Sequence, residues 1–559
     1  MTEPTAVEPR STEKIVEHAE LPSSEQPSEE ASDDDINGYV EGTKLYLLTL
    51  SEDKTNNSHF NSASLCMLIG TIELTVISTS LTSITNDLHG FNKTGWIVTG
   101  YLVTYSSTFI IWSKLSDVFG RKSCIITSVF IFVIFSGGCG AAQTITQLIV
   151  CRVFQGIGAA GDLALVFAIS FEMIPKAKFP TYTAIFAVVT TLGYITGPLI
   201  GGGFAQNSTW RWAFFLIGAL AIVLLIIFVP NGFPHQNNPN PRSRSLATKS
   251  SRSSLAKIDG LGVFLFLGAS FLLVTVLLSA GNDFAWNSAT TIVLFIISGF
   301  LWIAFAVNEW FVTNDKRIPE PIFPWRFVLN RKWMGALLLS LLSGIPWNAI
   351  TINLPQRLQV VNGMSPVAAS VRLIPFTALI AFGSVIANVF LKLHVPIYLM
   401  FIGSCLQVIG SALLSTVSKD THIDHAIYGY EVIAGLGIGI VIAMIIVVPP
   451  HMVEKRDLAI SSGALLQFRA LGAAIGLGIT SATMNNYLSS HLTHILTSEE
   501  ITQIFHSISS ITTFPPEVQL KVLHAFADGY QLQIQIMAAF SGLQVLLVAM
   551  FWGRPQVRV

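Results

Sequence analysis

The chain has 559 residues, 51% of them hydrophobic and only 12% charged, against about a quarter charged in an ordinary soluble domain, which excludes a water-solvated enzyme. A formal net charge of −1 removes the basic surplus that nucleic-acid binding requires. The five cysteines, Cys66, Cys124, Cys139, Cys151 and Cys405, sit singly in apolar runs without zinc or redox spacing, so neither a metal nor a cofactor is expected.

Residues 1–61, rich in Ser, Pro, Glu and Asp with an acidic patch from Glu29 to Asp35, predict a disordered acidic cytosolic tail. They lack a basic n-region, an apolar stretch and a cleavage site, so no cleaved secretory signal is expected. Beyond them, apolar runs of about 18 or more residues recur, each enough to cross ~30 Å of hydrocarbon as a helix. Runs at 62–84, 95–116, 123–142, 147–171, 181–205 and 210–230 form a predicted first six-helix bundle over 62–230. The Ser/Arg-rich stretch 231–258 reads as a cytosolic linker, 259–280 and 289–311 as an added helix pair over 259–311, and 312–332 as a cytosolic loop. Runs at 333–355, 367–391, 396–417, 426–447, 459–484 and 531–552 give a second bundle over 333–552 with a long outer loop at 485–530, then a cytosolic tail, 553–559. The fold class is therefore an all-α membrane protein of about fourteen spans.

An even number of spans puts both termini on one side. About nineteen Lys and Arg residues, from Arg121 and Lys122 to Arg554 and Arg558, fall in loops on that side, against about five opposite: Lys93, Arg211, Arg357, Lys419 and Lys521. Both termini are thus expected in the cytosol. Asn-X-Ser/Thr sequons at Asn92 and Asn207 fall on the outer side and are candidate glycosylation sites.

In chain order, the first functional signal is Glu73 within Ile72-Glu73-Leu74-Thr75-Val76-Ile77, a carboxyl deep inside the first span. Between spans 2 and 3 stands Ser113-Lys114-Leu115-Ser116-Asp117-Val118-Phe119-Gly120-Arg121-Lys122. This turn resembles the major facilitator superfamily signature G-x-L-[SA]-D-x-x-G-R-[RK], with Ser113 replacing the first glycine. The resemblance implies that Asp117, Gly120, Arg121 and Lys122 form a charge latch favouring one side of an alternating-access cycle. A solvated turn obeying the charge rule is the plainer reading.

Span 4 contains Arg152-Val153-Phe154-Gln155-Gly156-Ile157-Gly158, which is similar to the family pattern R-x-x-Q-G-x-G at every specified position. A cation within a span costs about 2.5–3.5 kcal/mol or more unless paired or hydrated. Counting rise per residue puts Glu73 at similar depth and within reach. A static ion pair locking spans 1 and 4 is the alternative to a coupling role. The segment around Glu73 itself resembles the L-D-x-T-I-V of fourteen-span drug:proton antiporters, with Glu for Asp and with Thr82 where the family has proline. In span 5, Gly193, Gly197, Pro198, Gly201 and Gly202 complete the antiporter signature G-x-x-x-G-P-x-x-G-G. Its spacing gives a flat face for close helix approach, and its proline loosens the helix; the resemblance implies antiport, and small-residue packing with no bearing on transport direction is the alternative.

Two signals carry nothing. The G-x-G-x-x-G pattern of Gly156 to Gly161 lies inside a span, which excludes a dinucleotide turn, and His422 and His425 lack companion ligands. The sequence has no G-x-x-x-x-G-K-[ST] loop, which argues against an ATP-driven pump. In the second half, Asn353 to Pro366 and Ser461 to Gly472 look like corresponding parts of fungal fourteen-span facilitators. Further intramembrane polar residues, Asp162, Arg372, Glu431, Gln467 and Arg469, are each expected to face the bundle interior. Asp162 joins the proton-coupling candidates Glu73 and Arg152, although snorkelling accounts for it equally well. Gln155, Trp347, Asn348, Glu431 and Gln467 are the candidate substrate-cavity residues.

The resemblance implies two six-helix bundles plus an added pair, with a cavity near the midplane between them. It further implies proton-coupled efflux of a small organic toxin, drug or secondary metabolite across the plasma membrane, by a protein acting as a monomer whose partners are substrate, protons and lipid. An importer of a siderophore or nutrient, or a non-transporting sensor, would share much of the sequence.

Overall fold

The computed structural model describes residues 54–88, 94–174, 178–207, 209–228, 259–280, 284–315, 321–391, 395–419, 423–454 and 457–552, except 498, 502–503, 505–510 and 512–513. Most of the acidic tail, the linker up to residue 258, Asn92, His422 and the segment 553–559 lie outside these residues.

The long helices are α1 (Lys54–Asp87), α2 (Thr94–Phe119), α3 (Arg121–Ala141), α4 (Ile145–Met173), α5 (Phe179–Asn207), α6 (Arg211–Phe228), α7 (Gly260–Ser279), α8 (Ala289–Asp315), α9 (Arg331–Val360), α10 (Ile374–Leu391), α11 (Pro396–Leu414), α12 (Ala426–Val447), α13 (Leu458–Leu492) and α14 (Pro516–Leu547). Eleven helices among the described residues are long and apolar enough to cross a membrane, with shorter apolar stretches at Ser62–Ile77 and Arg211–Ile227. Helix α2 falls short because its middle, Tyr101 to Thr108, is rich in hydroxyls, and their Oγ atoms bond back to carbonyls of the helix itself, as Ser107 does to Val103.

The packing repeats. In the first bundle α1 lies along α5 and α6, α2 along α4, and α3 along α4 and α6; in the second, α9 lies along α13 and α14, α10 along α12, and α11 along α12 and α14. Each pair in one bundle thus has its counterpart eight helices further along the chain in the other, with α7 and α8 between the two sets. The bundles meet through α5 on α10 and α2 on α13, again a reciprocal pair. Helix α7 packs on α2 and α13, and α8 covers α7, presenting Ile296, Phe300 and Ile303 outward as a lipid-facing wall.

Two boundaries depart from expectation, and one span carries an internal break. The predicted outer loop 485–530 is shorter, because α13 runs on to Leu492 and α14 starts at Pro516. Met484, Leu488 and Leu492 pack against Val522, Phe526 and Tyr530, so the helices continue past the hydrocarbon as a paired extension with their own apolar seam. The span expected at 367–391 coincides with the apolar stretch Val367–Leu391, which has an internal break where the short helix Pro366–Arg372 ends and α10 starts at Ile374. Pro375 lacks the N–H needed to continue the ladder. Finally, α1 begins at Lys54, before the expected residue 62.

Candidate functional site

Four constructions surround the interface between the bundles. The first is the buried ion pair: Arg152 Nη1 contacts Glu73 Oε1, and the two side chains are 1% and 0% exposed. The same Nη1 donates to Gln155 Oε1 at 2.9 Å, and Nε reaches the Ile97 carbonyl at 3.4 Å. The guanidinium carbon lies 4.2 Å from the Tyr101 ring centroid, so the aromatic face supplies part of the solvation that water would give. Glu73 Oε2 and Gln155 Nε2 are buried without a hydrogen-bond partner among the described residues. The pair is therefore tight on one oxygen and open on the other.

The second is the turn between α2 and α3. Gly120 has φ 90° and ψ 147°, a region that side chains strongly disfavour, which is the physical reason for glycine there. The turn aims Arg121 back at Asp117, 2.5 Å away, and across to Glu172 at the end of α4, also 2.5 Å away. Lys122 stays half-exposed. Glu172 was not among the residues expected in the latch. No motif marks it, and only its position beside Met173, the last residue of α4, would have suggested a partner for Arg121. Where the family's first glycine is replaced, Ser113 packs against Gly463 of α13, so the small residue has moved to the other bundle.

The third is the α1–α5 seam. A Cβ at Gly193, Gly197 or Gly201 would collide with Thr71, Thr75 or the Val76 carbonyl of α1, respectively, while one at Gly202 would strike Val367 beyond the first bundle. Pro198 lies inside α5, and its carbonyl accepts from Thr79 Oγ1 at 3.1 Å. Asn207, the other sequon asparagine, is the last residue of α5. In the second bundle Gly472 and Gly476 of α13 meet the Leu341 and Ile345 carbonyls of α9 in the same fashion.

The fourth is a cavity of about 140 Å³ between the bundles. Thr71 and Leu74 of α1, Tyr105 and Phe109 of α2, Tyr194 of α5, Trp347 and Asn348 of α9, and Arg469 of α13 are among its walls. Glu73 is thus the immediate neighbour of a cavity residue but turns toward α4. Proline 346 has no N–H for the Leu342 carbonyl one turn back, and Gln544 Nε2 of α14 fills that need at 2.9 Å. This loosened turn of α9 carries Trp347.

Three expected cavity residues lie elsewhere. Gln467 is buried between the bundles, where its Oε1 accepts from the Ile110 backbone N–H at 3.1 Å. Successive helix positions rotate by about 100°, so Gln467 points nearly opposite to Arg469, the residue that does reach the cavity. Glu431 is fully buried in the second bundle, eleven residues and roughly 16 Å along α12 from the lining residue Ile442. Gln155 belongs to the Arg152 cluster. Asp162, expected with the coupling pair, instead accepts from Ser128 Oγ at 2.6 Å and is 9% exposed, so it neither snorkels into open water nor touches Glu73 or Arg152.

The family model described as Major Facilitator Superfamily matches residues 63–312 and 306–477. The chain is similar to the MFS-type transporter FPY5 of Fusarium mangiferae, with 38% identity over 503 residues that cover 89% of this chain and 84% of that one. It is also similar to the MFS-type efflux pump LUC4 of a Fusarium species, at 26% identity across 87% of this chain and 86% of the relative. Among solved structures, the human organic anion transporter MFSD10 (TETRAN) superposes with a TM-score of 0.57 at 12% identity, over 88% of this chain and 99% of that chain, a likeness of fold.

Proposed function

The chain belongs to the major facilitator superfamily, and on that premise we propose that this integral membrane transporter exports a small organic toxin, drug or secondary metabolite in exchange for protons. The observation that carries the reading is the fully buried Glu73–Arg152 pair beside the cavity residues Thr71 and Leu74. Deprotonated Glu73 holds Arg152; protonation releases the guanidinium and loosens α1 against α4. Because α1 also forms the cavity wall, proton occupancy and substrate occupancy bias the same pair of conformations. The efflux-pump relative and the glycine-proline seam of α5 support export. One proton charge falling through 100 mV supplies about 2.3 kcal/mol, enough to sustain a substantial gradient.

The Arg121 cluster is the latch in this scheme, holding the α2–α3 turn against the end of α4 in one conformation. The Lys/Arg bias of the loops supports cytosolic termini, and in this reading the plasma membrane is the site of action, with a single chain as the working unit.

The test uses purified protein in proteoliposomes with an imposed pH gradient and candidate metabolites as cargo. Wild type should accumulate cargo against its gradient on the acidic side, whereas Glu73→Gln should lose concentrative transport at least tenfold and keep downhill exchange. Retained exchange also shows that the variant is folded. Undiminished accumulation by Glu73→Gln would remove that carboxyl from the coupling, and accumulation on the alkaline side would reverse the assigned direction.

A further inference from the structure

The cavity has one charged lining residue among those described, Arg469, about a third of the way along α13. Among the described residues no carboxylate lines the cavity and none pairs with Arg469. The contrast with Arg152 is direct: one intramembrane arginine is neutralised by Glu73, the other is left facing an opening between the bundles.

The surroundings of Arg469 are organised. Its guanidinium carbon is 5.2 Å from the Trp347 ring centroid, and the Tyr194 ring meets that indole edge-on at 5.7 Å. The Arg469 carbonyl abuts Gly344, where a Cβ would collide, which fixes the height of the arginine against α9. Tyr194 stands three residues before Gly197, and Arg469 three residues before Gly472, each glycine seated on the first helix of its bundle. The repeat therefore places Tyr194 and Arg469 at equivalent positions in the two halves. One half offers an aromatic hydroxyl, the other a cation.

We infer that the cavity takes an organic anion, a small planar acid whose carboxylate or equivalent acidic group docks on Arg469 while its apolar body lies among Trp347, Tyr194 and Tyr105. This names the substrate class for the transport reading and rests on it. A guanidinium in a low-dielectric site is costly without a counter-charge, and a substrate anion supplies it with two parallel N–H···O bonds. The aromatic walls offer faces and edges suited to a flat ring system. Asn348, on the same wall, adds an amide able to orient the acid.

The experiment measures binding of tritiated 1-naphthoate, its neutral isostere 1-naphthamide and cationic 1-naphthylmethylammonium to the purified full chain in nanodiscs, with uptake of the same probes in proteoliposomes under a pH gradient. Wild type should bind naphthoate about tenfold or more tightly than the amide, and the ammonium weakest. Arg469→Gln should bring acid and amide within about threefold of each other, and Arg469→Lys should retain part of the preference. The wild-type ranking decides the matter even if the variants fail to fold. Equal or tighter binding of the amide or the ammonium, absence of naphthoate binding, or an undiminished preference in a folded Arg469→Gln would overturn the inference. Gradient-driven movement of the amide or ammonium alone would leave transport standing and the anion site refuted. Naphthoate preference without gradient-driven movement of any probe would refute transport and uphold the site.

Discussion

Single side chains set the terms on which charge enters this interior. Arg152 and Glu73 offset one another where each alone would be an uncompensated buried ion, at a cost of about 3–5 kcal/mol when one partner is removed. Their pairing was legible in the sequence, because both lie in regular helices whose 1.5 Å rise makes depth countable. Facing was not legible. Gln467 and Arg469 are two positions apart, both polar and at nearly the same depth, and only the rotation of α13 sends one to α2 and the other to the cavity. Glu172 escaped for a different reason, since its bond to Arg121 spans 51 positions and no local pattern encodes it. At Gly120 the backbone itself makes a prediction. Gly120→Ala forces a side chain onto φ 90° and should destabilise the protein by about 1–3 kcal/mol. Thermal unfolding in detergent should show a lowered midpoint, whereas an unchanged midpoint would mean that the turn relaxes without loss.

Pairs of helices convert these contacts into a surface that can move. The α1–α5 seam depends on glycines whose places no Cβ could share with Thr71, Thr75 and Val76. Gly197→Leu should force the helices apart, reducing transport at least tenfold, while Gly203→Ala, at a position with open space around its Cβ, should leave it near wild type. Transport rates normalised to surface expression would check both, and equal loss in the two variants would argue against a seam-specific effect. Hydropathy revealed the lipid-crossing runs but could not see where a helix continues beyond them. The extension of α13 and α14 toward Leu492 and Pro516 is held by their mutual apolar seam in a polar setting, a tertiary cause invisible to a window of mean apolarity. Likewise the hydroxyl-rich α2 looks least like a span because its polar face belongs to the cavity side, with Tyr105 and Ser106 in the lining.

The molecule as a whole is two copies of one packing scheme joined by reciprocal contacts, α2 on α13 and α5 on α10. Such an interface suits rocking, because either end can part while the other stays closed. At the end carrying Gly120 the bundles already meet, through Ser113 on Gly463 and through the Phe179 and His451 rings, 5.6 Å apart. Exchange of one inward proton for one outward monoanion would carry two charges in the same electrical sense, so an inside-negative potential should accelerate export of an acid more than of its neutral isostere. The central claim, that one cavity opens to each face in turn, is tested most directly by Asn348→Cys in a background with Cys66, Cys124, Cys139, Cys151 and Cys405 replaced by serine. A membrane-impermeant thiol reagent applied to inside-out and right-side-out vesicles should label Cys at this position from both faces, with the balance shifting when the pH gradient is reversed. Labelling from one face only, under every gradient and with cargo present or absent, would contradict alternating access.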